Sequence, residues 1–388
     1  MRTPITLIFL VSLLCSSLSA ANLTEAQKQQ LQTLLPGVTL TDSTLEKLED
    51  VFYTREMPVR SRLKAISQMV GLDQMPVGST LKRTICIWDI GGRNGVVFNA
   101  AMEQRALALE YGINLDLVPY TNETVMVDEL KAGRCDAALM SGLRARQFNL
   151  YSGSVDAIGA VPSQKHMQTL LQVMAHPRQA GHMVQGDYVV MGIYPAGAAH
   201  IFVNDRSISS LAKAAGKRVA VLDYDETQAE MVAAIGATPV STDIVSAPNK
   251  FNNGQIDILP APLVAYEILE LYKGMSPDGG VVDYPLTQLS MQLIGRLDKF
   301  PNEVAQLIRE ASFEAYPDVI KRIEVETRRV PERWMIAIPD KDKREYEVMM
   351  QDARDALRAQ KYYSSDMLDL QRKIRCKFDP TRSECSIT

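Results

Sequence analysis

Gly133-Arg134-Cys135-Asp136-Ala137-Ala138-Leu139-Met140 and Gly254-Gln255-Ile256-Asp257-Ile258-Leu259 share one arrangement: a helix stops at glycine, and an apolar strand follows with aspartate three residues on. Read outward from each, the chain repeats a larger pattern of apolar strand, helix, strand, helix and strand. The first copy covers residues 84–140 and the second 218–259. The opening run of the first, Thr84-Ile85-Cys86-Ile87-Trp88-Asp89-Ile90, is almost continuously apolar, as parallel strands are when both faces of a sheet are covered. The repeat predicts an α/β chain with two lobes, each built on a parallel-type sheet.

The remaining segments are organised around those lobes. Residues 22–82 read as a polar helical extension, with apolar spacing at Leu31, Leu34 and Leu35 and again at Leu63, Ile66, Met69 and Val70. Thr41-Asp42-Ser43-Thr44 has the composition of a helix start. Lobe one takes 83–197, and Tyr194-Pro195-Ala196-Gly197-Ala198 reads as the crossing into lobe two, 198–283. A second crossing near 283–290 returns the chain. From there 284–388 reads as a return strand and C-terminal helices, expected to lie on lobe one and brace the hinge.

Before residue 22 stand a short cationic start, Met1-Arg2, and an apolar core over 5–14 broken by Thr6 and Ser12. Ser19-Ala20-Ala21 then supplies the small residues of a cleavage site, so 1–21 reads as a signal peptide. That core is shorter than the roughly 20 apolar residues a bilayer span needs, and nothing later approaches it, so the chain is read as not membrane-embedded. Leu14 precedes Cys15 where a lipid-attachment site would have a small residue, which favours a released, periplasmic protein over a lipoprotein.

Acidic side chains outnumber basic ones, 46 against 42, without a Lys/Arg block. That excludes a nucleic-acid partner, whose phosphates call for a basic face. Beyond Cys15 there are Cys86, Cys135, Cys376 and Cys385, an even number suited to two bridges in an oxidising compartment. Cys376 and Cys385 flank a short loop and are the easier pair; Cys86 and Cys135 form either a cross-strand bridge or two buried thiols.

In open parallel sheets ligands sit beyond the carboxyl ends of the strands. Lobe one offers Asp89, Gly91 and Arg93 after its first strand, and Tyr120 and Asn122 after its second. After its third come Ser141, Arg144, Arg146 and Phe148. Lobe two offers Asp223, Tyr224, Asp225 and Pro260, and Tyr194 stands at the crossing. Arg144 and Arg146 are the sharpest candidates, because two guanidinium groups on one loop can grip a carboxylate or phosphate in a fork. The competing reading is that one of them pairs with an acidic group of the opposite lobe and only latches the cleft. Gly91-Gly92 either brings N–H groups against an anion or makes a plain turn; Asp225 either faces ligand or caps the next helix.

All four histidines fall between His166 and His200 among methionines, but without the short spacing of zinc ligands, so no metal or cofactor is expected. No Gly-x-Ser-x-Gly, no His-Glu-x-x-His and no cysteine with an evident base is present, so no enzyme is expected.

Cys135-Asp136-Ala137 through Ser141-Gly142-Leu143-Arg144 to Arg146-Gln147-Phe148-Asn149 resembles the AdeT-type solute-binding proteins. So do Phe202-Val203-Asn204-Asp205-Arg206, Lys250-Phe251-Asn252-Asn253-Gly254-Gln255 and Arg375-Cys376-Lys377 with Glu384-Cys385-Ser386. That likeness covers nearly all of the chain after about Thr84. Members of that family have carried the label of a resistance–nodulation–division efflux component. A more distant similarity, in Gly216-Lys217-Arg218-Val219 and Gly236-Ala237-Thr238-Pro239-Val240, is to the binding proteins of tripartite ATP-independent periplasmic (TRAP) transporters. The resemblance implies a two-lobed, periplasmic-binding-protein-like fold of type II, and a small polar or charged solute held between lobes for delivery to an inner-membrane permease. Its alternative is an accessory component of an efflux complex. TRAP binding proteins use an arginine to hold a ligand carboxylate; counting back from Gln228, that position is Val221 here, so Arg144 or Arg146 would have to substitute from the other lobe.

Overall fold

The computed structural model describes Gln29, Gln32 and residues 41–54, 56–74 and 81–385. The signal-type segment and the Leu31, Leu34, Leu35 spacing lie outside them. The chain divides into two compact units, Met1–Leu81 with Ala108–Asn114 and Lys82–Leu107 with Leu115–Thr388. In the first, helix Asp42–Tyr53 begins at the Thr41-Asp42-Ser43-Thr44 start, where Thr41 caps it by accepting from the Thr44 N–H at 3.2 Å, and helix Val59–Met69 covers the Leu63, Ile66, Met69 spacing. Ser67 Oγ donates to the Tyr111 carbonyl at 3.0 Å within this unit.

The second unit holds all or most of each strand: β1 Leu81–Trp88, β2 Ile113–Tyr120, β3 Ala137–Ser141, β4 Val184–Gln185, β5 Tyr188–Val203 and β6 Arg218–Leu222. After them come β7 Thr238–Thr242, β8 Ile258–Pro262, β9 Gly280–Val282, β10 Thr287–Arg296 and β11 Met335–Ile336. Their main order is β2-β1-β3-β10-β5-β8-β6-β7. Lobe one is the half around parallel β1 and β3, and lobe two the half in which β6 runs parallel to both β7 and β8. Antiparallel β5 and β10 run between them.

The repeated Gly-x-x-Asp does the same work in both lobes. Gly133 and Gly254 take φ of 74° and 69°, the left-handed conformation that ends a helix and that glycine adopts without strain. Each aspartate then ties off the first strand of its lobe: Asp136 Oδ2 accepts from the Thr84 N–H at 2.8 Å, and Asp257 Oδ2 from the Arg218 N–H at 2.9 Å. Asp257 also holds the Arg218 guanidinium, at 2.6 Å from Oδ1, and this hydrogen-bonded pairing keeps its carboxyl well below the usual range.

Core and bridges follow the lobes. Met126, Leu130, Met140, Val155 and Met167 anchor a fully buried cluster in lobe one, and Phe202, Phe251, Ile256 and Leu271 one in lobe two. Met231 and Ile244 of lobe two reach across and lie against the lobe-one cluster. Cys86–Cys135 and Cys376–Cys385 are both disulfides, with Cα atoms 5.8 and 5.5 Å apart; the first ties Cys86 of β1 to Cys135, two residues before the neighbouring β3, so it is a bridge as expected but not strand to strand.

Two expectations change. Tyr194–Ala198 is not a loop between strands. It lies inside the single 16-residue strand β5, whose register against β10 slips between Leu289 and Ser290, leaving Ala196 as the extra residue of a bulge. Proline and glycine disturb a strand locally, but β10 pairs with β5 on both sides of the irregularity and carries it through. Nor do the C-terminal segments lie on lobe one alone. Helix Asn302–Glu314 braces β5 there, with the Arg309 guanidinium on the Val190 carbonyl at 2.6 Å. The following β11 pairs with β9, and Trp334 Nε1 donates to the Tyr266 hydroxyl at 3.0 Å in lobe two. Helix Asp340–Ala359 meets both lobes, through Tyr346 on the Ser209 carbonyl and Arg354 on the Ile158 carbonyl.

Candidate functional site

The segment carrying both arginines is helical: Gly142–Ala145 forms a single turn capped by Ser141, whose Oγ accepts from the Arg144 N–H at 3.2 Å. Residues two apart on a helix face different ways. Arg144 and Arg146 therefore diverge, and the expected fork on one anion is not formed. The turn is pressed down on buried Asp156 and Ser290: a Cβ at residue 142 would stand 2.2 Å from Ser290 Oγ and 2.4 Å from Asp156 Oδ2, so only glycine fits there. Asp156 accepts from Ser290 Oγ at 2.6 Å and from its N–H at 3.1 Å, while Gln292 Nε2 donates to Ser290 Oγ at 3.1 Å. Burial pushes the Asp156 carboxyl up to about 7 despite the Ser290 bonds and the Arg146 charge.

Arg146 spans the lobes. Its Nη2 donates to Asp225 Oδ2 at 2.7 Å and to the Tyr362 hydroxyl at 2.5 Å, and the hydroxyl donates onward to the same Asp225 oxygen at 2.5 Å. The guanidinium carbon lies 3.8 Å from the Tyr362 ring centroid. Asp225 is also the N-cap of helix Glu226–Ala234, accepting from the Gln228 N–H at 3.3 Å. Burial works against the Arg146 charge, but Tyr362 and Asp225 outweigh it and hold its pKa above the ordinary value. Arg146 thus forms the interlobe latch.

Arg144 is placed differently. It is 7% exposed, and its guanidinium carbon stacks 3.4 Å from the centroid of the lobe-two Tyr224 ring. Nη2 donates to Thr124 Oγ1 at 2.8 Å, whereas Nε has no hydrogen-bond partner. Its nearest carboxylate oxygen, Glu123 Oε2, is 3.8 Å away and also without a hydrogen bond, while Glu123 Oε1 accepts from the Ser141 N–H at 2.6 Å. Burial raises the Glu123 pKa, countered by Ser141 and Arg144. The buried Tyr224 hydroxyl likewise has no hydrogen-bond partner. Val221 is a buried residue of β6, and Tyr224 follows at the end of that strand.

Other candidates have work nearer home. Asp89 is buried, with its carboxylate on the Gly91, Val97 and Phe98 N–H groups. Asn122 caps helix Glu123–Lys131, accepting from the Val125 N–H at 3.0 Å. Phe148 sits in the lobe-one core, edge-on to Tyr188, and Tyr194 bonds Ser312 Oγ at 2.9 Å beneath helix Asn302–Glu314. Tyr120 is half-buried against the same core; Gly91, Arg93, Asp223 and Pro260 are exposed. The histidines are scattered: His182 stacks on Tyr151, His166 bonds Ser163, and His200 bonds the Val282 carbonyl. Tyr362, Thr124 and Asp156 were not among the candidates; Tyr362 lies far along the chain in the C-terminal segment, where no strand-end rule points.

A two-lobed sheet crossed by two antiparallel strands, with Arg144 buried and Arg146 partly buried where the lobes meet, is the architecture of two-lobed binding proteins. The chain belongs to the family described as "Solute-binding protein AdeT 1/2", matched over residues 72–388. It is 39% identical over 304 residues to the probable solute-binding protein AdeT1 of Acinetobacter baumannii, covering 78% of this chain and 99% of that one. Its identity to AdeT2 of the same organism is 27%, over 61% of this chain and 99% of AdeT2. Among solved structures it is similar to a TRAP periplasmic solute-binding protein of Desulfovibrio salexigens with bound orotic acid. That similarity has a TM-score of 0.63 at 15% identity, over 76% of this chain and 99% of that one. A TRAP binding protein from Haemophilus influenzae with bound L-gulonate gives a TM-score of 0.61 at 13% identity, over 76% and 99%. One from Shewanella oneidensis with bound succinate gives 0.62 at 11%, over 76% and 99%. These structures share the fold; the family match gives solute binding, which favours that reading over the efflux-accessory one.

Proposed function

We propose that the protein captures a small polar or charged solute between its lobes in the periplasm and presents it to an inner-membrane permease of the TRAP kind. The observation that carries this reading is Arg144, a buried guanidinium at the lobe junction with Nε unbonded and Tyr224 stacked on it from the opposite side. A cation held this way is stabilised by the ring, and it keeps a donor available for a ligand when the stack parts. Arg144 would then supply a polar ligand contact from lobe one, where lobe two has only the apolar Val221. Ligand would favour the closed arrangement through its greater affinity for it, with bending at the β5 bulge and at the stretch before β10. The similar structures, each carrying a small acid by its own description, support a small polar solute.

Native mass spectrometry of protein drawn from its own cells, followed by a thermal screen of small polar compounds, tests this. The expected result is a retained small molecule, and a compound that raises the melting temperature; at a hundredfold excess over Kd the gain is about 2.7 kcal/mol. Protein that carries nothing and responds to no compound, yet co-purifies with a membrane complex, would refute it in favour of an accessory role.

A further inference from the structure

Glu123 and Arg144 face each other as a loose ion pair in which one atom of each, Oε2 and Nε, makes no hydrogen bond. Glu123 is 6% exposed and Arg144 is 7% exposed. One Glu123 oxygen is used by the Ser141 N–H, and the Arg144 N–H and Nη2 are used by Ser141 and Thr124. What remains is an acceptor, Glu123 Oε2, and a donor, Arg144 Nε–H, 3.8 Å apart and so beyond direct hydrogen-bond reach of one another. A buried polar atom left unpaired is costly, so a group that satisfies both is favoured there. The Tyr224 hydroxyl, buried and unpaired, belongs to the ring stacked on the same guanidinium.

The chemistry of the complementary group follows from the pair. With Glu123 ionised against the Arg144 charge, a carboxylate oxygen can accept from Nε but has nothing to give Oε2, and it brings a second negative charge against Glu123. An ammonium can donate to Oε2 but offers no lone pair to Nε, and it brings a second positive charge against Arg144. A hydroxyl does both: it donates to Oε2 and accepts from Nε, and one oxygen can sit within about 2.8 Å of each when they are this far apart. We propose that the Glu123–Arg144 pair reads a hydroxyl group, making Glu123 a specificity-determining residue and the solute a hydroxylated compound. This rests on the solute-binding reading above and narrows it. Burial without the hydroxyl partner is costly, so an analogue lacking it is penalised more than an analogue with one apolar group too many.

The test is a titration of purified full-length protein with matched acids differing by one hydroxyl: succinate against malate, propionate against lactate, and butyrate against 3-hydroxybutyrate. Each is measured on wild type and on Glu123→Gln. Wild type should bind the hydroxylated member of at least one pair tenfold or more tighter. Glu123→Gln should bring the members of that pair within about threefold, chiefly by weakening the hydroxylated one, because its amide can offer a donor where Oε2 accepts. Equal or tighter binding of the unhydroxylated members by wild type overturns the proposal alone and needs no variant. So does a preference that survives Glu123→Gln, which would make the pair an ordinary water-bridged contact. Binding of no pair member while the wider screen yields a ligand without a hydroxyl group also overturns the proposal alone, whereas a hydroxylated hit is compared with its deoxy analogue by the same two criteria; no response to any compound overturns the solute-binding reading and the proposal together.

Discussion

At the scale of single residues, the junction is set by Arg146 and its two partners. The guanidinium, the Tyr362 hydroxyl and Asp225 Oδ2 form a closed ring of hydrogen bonds between lobe one, lobe two and the C-terminal segment. Removing one member of a buried pair strands the other, which costs roughly 3–5 kcal/mol. Arg146→Ala should therefore destabilise by about that much, and a double-mutant cycle with Asp225→Asn should give a coupling of at least about 1 kcal/mol by chemical denaturation. Independent, additive effects would contradict the latch. Asp156, beneath the same turn, gives a second expectation. Its folded-state pKa, about 7, stands above that of an unfolded aspartate, so the folded protein holds this proton more tightly. The stability gained is fully present below the unfolded value and is lost as pH rises through about 7. Unfolding measured from pH 8 down to 5 should show wild type gaining up to about 1.4 kcal/mol per unit relative to Asp156→Asn; parallel pH curves would contradict it. Neither Asp156 nor Tyr362 could be singled out from sequence, because their role depends on burial and on partners far along the chain.

At the scale of elements, the C-terminal tail is clipped to the stretch around Gly159 that meets the chain ahead of β10. Glu384, 5% exposed, accepts from Arg375 at 2.7 and 2.6 Å and from Arg382 at 3.1 Å, with Arg354 at 3.6 Å. Burial opposes its charge, but the three arginines prevail and hold its carboxyl at about 2. Arg375 also donates to the Ala160 carbonyl and Arg354 to that of Ile158, while the neighbouring Gly159 N–H bonds Leu286 ahead of β10. The Cys376–Cys385 bridge holds this tail in place. Glu384→Gln should lower the denaturation midpoint by the equivalent of roughly 3 kcal/mol, more than Cys385→Ser does; a change below 1 kcal/mol would show that the arginines are satisfied without it. Elements of this kind divide sharply in how legible they are. The strand–helix alternation and the Gly-x-x-Asp repeat were readable because period and turn chemistry are local. The run from Ser141 to Phe148 looked like a loop, yet folded as a turn of helix because Ser141 caps it and Gly142 lets it seat on Asp156. Likewise Pro195 and Gly197 imply a break, but two-sided pairing with β10 kept β5 whole.

At the scale of the molecule, one sheet serves two lobes, and their meeting face carries two arginines with separate duties. Arg146 is satisfied by the protein itself, whereas Arg144 keeps an unbonded Nε beside an unbonded oxygen of Glu123. The sequence pointed to both arginines but not to this division, since helical divergence, stacking on Tyr224 and the Asp225–Tyr362 partnership all arise from tertiary placement. The proposed solute sits at that junction. A crystal structure of the protein with a molecule retained from the cell, or supplied from the compounds that stabilise it, tests this most directly. The account predicts ligand density contacting Arg144 Nε and Glu123 Oε2, with Tyr224 closing over it; density bound elsewhere, with the Arg144–Tyr224 stack intact and both atoms untouched, would contradict it.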